Sequence, residues 1–184
     1  MIKVIQVITD TNIGGAGIWL LNFLKTYDRS VIDMSVVIPR GAMLKERVEK
    51  LEVRVIEADN IADSSFSVGG IKTLDEIFKE EEPDIVHTHA SMSARIAAKQ
   101  AGAKVVYTRH SVFEPSKKIS RGIGKVINGM INNHYADSII AVAEAAKDNL
   151  TDTGVKESKI KVILNGVDGL TSVSTDEKRI IKER

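Results

Sequence analysis

Residues 2–24, "IKVIQVITDTNIGGAGIWLLNFL", decide how the rest of this sequence is read. An apolar, β-branched run over 2–8 is followed almost at once by three glycines in four positions, Gly14, Gly15 and Gly17, and then by an amphipathic helical pattern. Glycine lets a backbone turn sharply and lets another group come close, at an entropic cost that a plain connection would not need. Two explanations stay open at this point. The glycines can serve a tight strand-to-helix turn alone. Alternatively, the backbone N–H groups of Gly14, Gly15 and Ala16 can meet an anion at the start of the helix, where unpaired donors and the helix dipole favour negative charge. Phosphate is the obvious anion.

The same alternation continues along the chain. The runs "MSVVIP", "VRVIEA", "DIVHTH", "KVVYTR", "SIIAVA" and "KVILN" read as strands, separated by helical patterns over 16–27, 43–51, 70–82, 92–101, 120–134 and 143–153. Short strands alternating with helices predict an α/β fold, a Rossmann-like parallel sheet with helices on both faces. Pro83 and Asp84 end one helix ahead of a strand, because proline cannot continue the hydrogen-bond ladder. After "NGVD" at 165–168 the chain turns rich in Gly, Ser and Thr, and "STDEKRIIKER" reads as a cap and the first turns of a further helix. The reading divides the chain into a domain over 1–168 and, over 169–184, a linker with the start of a domain that is missing. A frayed terminus is the other explanation of that last segment.

Composition narrows the function classes. A chain of 184 residues is long enough to bury a core and reads as one domain. Its net charge of +1 speaks against a bulk nucleic-acid binder, so any electrostatic message is local. The absence of cysteine excludes a disulfide scaffold, a thiolate nucleophile and cysteine-type zinc sites, and agrees with a reducing cytoplasm. No apolar run approaches the ~18 residues of a membrane-spanning helix.

In an open parallel sheet, ligands collect at the carboxyl ends of the strands, near the point where strand order reverses. That rule selects the loops at 9–17, 88–93 and 109–116. The glycine loop lacks the third glycine of the dinucleotide fingerprint. The second strand ends in Pro39 and Arg40 rather than an acidic residue, so a nicotinamide cofactor is disfavoured. Three of the four histidines, His87, His89 and His110, fall at strand ends. One or both of His87 and His89 reads as packed and hydrogen-bonded between strand and helix, and His110, followed by Ser111 and a loop with Glu114 and Pro115, as the better functional candidate. Over 116–134, Ile119, Ile123, Val126, Ile127, Met130 and Ile131 form one helical stripe, with Lys117, Lys118, Arg121 and Lys125 added and no acid in the segment. Such a stripe ordinarily faces the core. A basic amphipathic helix can also lie on an anionic membrane or hold a phosphorylated acceptor, and both readings stay open.

Taken in order, the opening strand, "GGAG", the helix, "EEPDIVHTHASMSARIAAKQAGAKVVYTRHS" and "ADSIIAVAEAAKDNLTDTGVKESKIKVILNGVD" resemble the amino-terminal domain of retaining glycosyltransferases of family 4, also called group 1. The resemblance implies one half of a two-domain GT-B type fold, in which this half binds the acceptor and the missing carboxyl-terminal domain holds most of a nucleotide-diphosphate sugar. It implies that Gly14, Gly15 and Ala16 approach the donor pyrophosphate. It implies that His110 orients the donor and stabilises charge at the leaving group, with retention of configuration, no cofactor and no bound metal. It places acceptor contacts at His89, Ser91, Lys117, Lys118 and Arg121, for a glycan, lipid-linked or small-molecule acceptor. The protein it implies is cytoplasmic, lies peripherally on the anionic inner face of a membrane, has no nucleic-acid partner, and is inactive as this fragment alone. Where many relatives carry an acidic residue directly after "GGA", this sequence has Gly17. Glu49 and Glu57 have the spacing of the family's carboxyl-terminal glutamate pair, but they lie in the wrong half and read as chance. A sugar-nucleotide epimerase of the same architecture and a stand-alone phosphate- or sugar-binding module are the alternatives.

Overall fold

The computed structural model describes residues 1–112 and 115–166, so the segment 169–184, the end of "NGVD" and Glu114 lie outside the described residues. Each apolar run becomes a strand and each helical pattern a crossover. In chain order the elements are β1 (Ile2–Val7), α1 (Gly15–Leu24), β2 (Ile32–Pro39), α2 (Lys45–Glu49), β3 (Arg54–Ala58), α3 (Val68–Glu81), β4 (Ile85–His89) and α4 (Met92–Gln100). They continue as β5 (Lys104–Arg109), α5 (Lys117–Ser120), α6 (Gly122–His134), β6 (Ser138–Ala141), α7 (Glu144–Asp152) and β7 (Ile160–Val162). The strands form one seven-stranded parallel sheet of order β3-β2-β1-β4-β5-β6-β7. The expected α/β architecture is therefore the observed one.

Strand order reverses between β1 and β4. Val7 pairs with Val37 of β2 on one side and with Thr88 of β4 on the other. Alternate residues of β1 supply opposite faces, as the period of two requires. Ile5 and Val7 join Leu74, Phe78, Ala94, Ala97 and Ala98 beneath α3 and α4. Val4 and Ile8 join Leu20, Leu24, Val36 and Ile38 beneath α1 and α2. The alanines of α4 let it lie close to the sheet. Because α1 leaves to one face and α4 to the other, a crevice opens between their connections at the carboxyl ends of β1 and β4.

Two departures from the sequence reading concern the second half. The helix expected over 120–134 begins two residues later, at Gly122, and the short α5 precedes it as a separate helix, because Arg121 is extended (φ −137°) and Gly122 adopts φ +54°. In the first half, the pair Glu49 and Glu57, whose spacing reads as chance, lies away from the crevice: Glu57 accepts from Gly41 N (2.8 Å) and pairs with Lys45 (2.6 Å). Most informative is the face that α6 turns inward. Its inward side is the buried Gly129 and the half-buried Asn128, Asn132 and Asn133. Asn128 and Asn133 donate to the carbonyls of Thr153 (2.7 Å) and Gly154 (3.2 Å). Ile123, Val126, Ile127 and Met130 face solvent, at 79%, 60%, 47% and 59% exposure. The apolar stripe is thus on the outside, against the ordinary expectation for a surface helix.

The contact that forces this orientation is the crossing of Gly129 with Gly154, where a Cβ on residue 129 would collide with the Gly154 carbonyl. Gly129→Ala should gain about 1 kcal/mol of helix propensity and lose more to overpacking, about 1–3 kcal/mol. The expected net effect is destabilisation, seen as a lower urea midpoint at unchanged slope.

Candidate functional site

The loops that sequence reasoning selected do converge. A cavity of about 420 Å³ is walled by Thr9 and Asp10 after β1, Gly15 and Ala16 at the start of α1, Asp63 to Ser65 after β3, His89 and Ala90 after β4, and Arg109 to Ser111 after β5. Loop-to-loop bonds hold the wall. Asp63 accepts from Thr11 N (3.0 Å) and Thr11 Oγ1 (2.7 Å), and Ser65 Oγ donates to the Ala90 carbonyl (2.8 Å). The bonds from Thr11 keep the Asp63 carboxyl below its ordinary pKa, whereas burial and the neighbouring Asp63 push Asp10 up.

The glycine loop answers the question raised by the opening stretch. Gly14 has φ −92°, which any residue adopts, and a Cβ at Gly14 or Gly15 would meet nothing within 4 Å. The turn itself therefore does not require glycine at these two positions. What their absence of side chains leaves is open space in front of a helix start that has no side-chain cap and no acid in its first turn. N–H groups at a helix start beside a cavity have the chemistry to meet an anion.

His110 stands on the same wall, held by a chain of buried groups in which a packed His89 was expected from the sequence and its partners Gln6 and His110 were not. His89 Nε2 lies 3.0 Å from Gln6 Oε1, and His89 Nδ1 lies 2.8 Å from His110 Nε2. An amide oxygen only accepts, so His89 Nε2–H donates to Gln6, His89 Nδ1 is left as an acceptor, and His110 Nε2–H donates to it. The network thereby leaves His110 Nδ1 with its lone pair free of this chain of bonds. His87 Nε2 pairs with Thr108 Oγ1 at 2.7 Å. Trp19 covers the group, its ring 5.7, 5.1 and 5.6 Å from those of His87, His89 and His110. Gln6 was detectable in principle, as an uncharged polar residue between the apolar Ile5 and Val7 of β1.

The expected acceptor residues are scattered. His89 does reach the cavity wall, but it is 4% exposed and both its nitrogens are engaged, so its place is behind His110. Ser91 is fully buried and its hydroxyl caps α4 by accepting from Ala94 N, which gives it a structural place rather than one on the cavity. Lys117, Lys118 and Arg121 are exposed on and after α5, off the wall of this cavity. No helix among the described residues is long and apolar enough to cross a membrane.

Burial sets the charge state of the histidines. Desolvation, with a smaller push from His110, lowers His87 to about 3. Burial and the other two rings hold His89 well below its ordinary value, and burial alone lowers His110. Unfolded histidine takes a proton near 6.5, so between there and about 3 the unfolded chain binds more protons than the folded one. Stability therefore falls as pH falls through that window, by ~1.4 kcal/mol per pH unit for each fully neutral ring. Urea unfolding at about pH 7 and about pH 5 should show a loss of roughly 2 kcal/mol per buried ring. Equal stability at the two would contradict the neutral assignment.

With this geometry in place, comparison with known proteins is informative. The family model for Glycosyltransferase Family 4 matches residues 13–169. Among solved structures the chain is similar to Anabaena Alr3699/HepE in complex with UDP and glucose, with 21% identity, a TM-score of 0.71, and coverage of 91% of this chain and 45% of that one. It is also similar to a glycosyltransferase from Rickettsia africae ESF-5, with 23% identity, a TM-score of 0.70, and coverage of 99% and 48%. Among curated proteins it is 24% identical over 94 residues to UDP-N-acetylglucosamine 2-epimerase of Methanocaldococcus jannaschii, a stretch that is 51% of this chain and 26% of the epimerase. The chain thus spans a little under half the length of the two solved structures and about a quarter of the epimerase. Its fold matches one half of a GT-B glycosyltransferase.

Proposed function

The chain belongs to glycosyltransferase family 4, and from that premise we propose that it is the acceptor-side half of a retaining transferase that moves a hexose-type sugar from a nucleotide-diphosphate donor. The observation that carries this reading is the wall shared by the uncapped start of α1 and His110. In the transfer, the bond from the anomeric carbon to the phosphate oxygen breaks and a bond from that carbon to an acceptor oxygen forms. The acceptor's hydroxyl proton leaves with the departing diphosphate. Gly15 and Ala16 amides meet the charge that develops on that diphosphate, as preorganised donors outside bulk water. Gly14, as the residue preceding the helix, shapes the approach. His110, kept neutral by burial, suits orientation more than charge neutralisation: its Nδ1 accepts from a sugar hydroxyl while Nε2–H stays tied to His89. The reading calls for no bound metal and no cofactor.

UDP in the Anabaena structure supports a uridine diphosphate donor. Positioning and charge stabilisation of this kind need both walls of a cleft, so a carboxyl-terminal domain would supply the rest of the donor site, and this half alone would turn over poorly. We place the protein in the cytoplasm, with a glycan, lipid-linked or small-molecule acceptor. The test is a transfer assay on the full-length protein with a panel of nucleotide-diphosphate sugars. His110→Ala should lower transfer about 100-fold or more, the usual effect of losing a positioned group at the reacting centre. Near-normal transfer would overturn the role of His110. The epimerase relative supports one other reading, which the same assay separates: an epimerase converts UDP-N-acetylglucosamine without an acceptor and without releasing UDP.

The outward apolar stripe of α6, flanked by Lys117, Lys118, Arg121 and Lys125 with no acid within 116–134, supports a peripheral seat on an anionic bilayer. Sedimentation with phosphatidylglycerol vesicles should carry the protein down, and phosphatidylcholine vesicles should leave it in solution. Equal behaviour with both would remove the membrane from the proposal.

A further inference from the structure

A second cavity, of about 490 Å³, adjoins the first and shares Ser65, Ala90 and Arg109 with it. Its wall carries Arg95 of α4, Tyr107 of β5, and Asn128 and Asn132 of α6. Arg95 is 4% exposed. Its guanidinium lies over the Tyr107 ring, 4.4 Å from the centroid, and Nη1 donates to Asn132 Oδ1 at 3.0 Å. That is its one hydrogen bond among the described residues, and Nε, itself buried, has no partner. No carboxylate of the described residues pairs with it, whereas Glu81, the buried acid of this fold, is matched by both Arg54 and Lys3.

A guanidinium keeps its charge in proteins, so burying one against a neutral amide and an aromatic ring is costly unless something completes it. Burial and the nearby Arg109 both disfavour the charge on Arg95, and the Tyr107 ring offsets this only partly. The planar fork of N–H donors suits a carboxylate or phosphate. Arg95 sits beside Ala94, Ala97 and Ala98 on the buried face of α4.

We propose that this second cavity seats the acceptor by an anionic group, a phosphate or carboxylate held by the Arg95 guanidinium with Asn132 beside it. The inference rests on the transferase reading and adds to it an acceptor class: one that carries negative charge next to the first cavity, where the sugar would be handed over.

The test is nuclear magnetic resonance on the chain, following the Arg95 Nε–H and Asn132 side-chain amide signals. Inorganic phosphate and glucuronate are the anionic probes, glucose is the neutral one, and monomeric dihexanoylphosphatidylglycerol stands for a lipid headgroup. Phosphate or glucuronate should shift both signals and glucose should not. A response to the lipid probe at lower concentration than to phosphate would identify a headgroup as the source, and the reverse a soluble acceptor. Arg95→Met should weaken anion binding about tenfold or more while leaving thermal stability without anion unchanged or higher, since it removes an uncompensated charge. Arg95→Lys, which keeps charge and loses the fork, should fall between. Absence of any Arg95 response up to about 50 mM phosphate or glucuronate, far above a millimolar Kd, would overturn the proposal. So would an unchanged Asn132 response in Arg95→Met. The Gly15 and Ala16 amides in the same spectra report the first cavity separately, so a failure there touches the transferase reading and leaves this one to stand or fall on Arg95.

Discussion

Parallel pairing of β4 with the edge of β1 that β2 leaves free is the constraint on which the rest depends. Val7 lies between Val37 and Thr88, and from that point the chain builds outward in opposite directions. Right-handed crossovers then send α1 to one face and α4 to the other. Their connections cannot close over each other, so the ends of β1, β4 and β5 share an open crevice. A glycine loop at residue 14 and a histidine at residue 110 become neighbours by topology alone.

Within that frame, a line of polar groups runs through a face that is otherwise apolar. Gln6, His87 and His89 lie beneath α1 on the strand positions that alternate with core residues, and Trp19 covers them. Buried polar groups of this kind are tolerated when each finds a partner, and Gln6, Thr108 and His110 provide those partners. The arrangement is stable only with neutral rings, which ties folding and the charge state of His110 to the same desolvation. Three strands thereby fix one imidazole at the cavity, with a defined donor and a defined acceptor nitrogen.

The other half of the sheet is organised by close approach rather than by apolar burial. At α6 the inward side is made of asparagines and Gly129, because the loop around Gly154 arrives too near for a larger residue. Inverting the helix in this way exposes its isoleucines and methionine beside a row of cations. It also presents Asn128 and Asn132 to the second cavity, where Asn132 accepts from Arg95. One packing decision thus shapes both an outer surface and an inner site.

How much of this was legible in advance follows from the range of the forces involved. Strand and helix identity, the α/β class and the loops at 9–17, 88–93 and 109–116 were set by the sequence itself, since hydrophobic periodicity and glycine placement act locally. The grouping of Gly15, Ala16 and His110 was foreseeable from the rule that parallel sheets open at their carboxyl ends. Ser91 and His89 were legible as polar residues near that opening, but only packing decided that the first would cap α4 and the second would stand behind His110. The direction faced by the 119–131 stripe, the partner of Gln6 and the isolation of Arg95 depend on contacts between residues distant along the chain. A side chain's pattern shows that it can be buried or exposed; which of these it becomes is decided by what the fold brings against it.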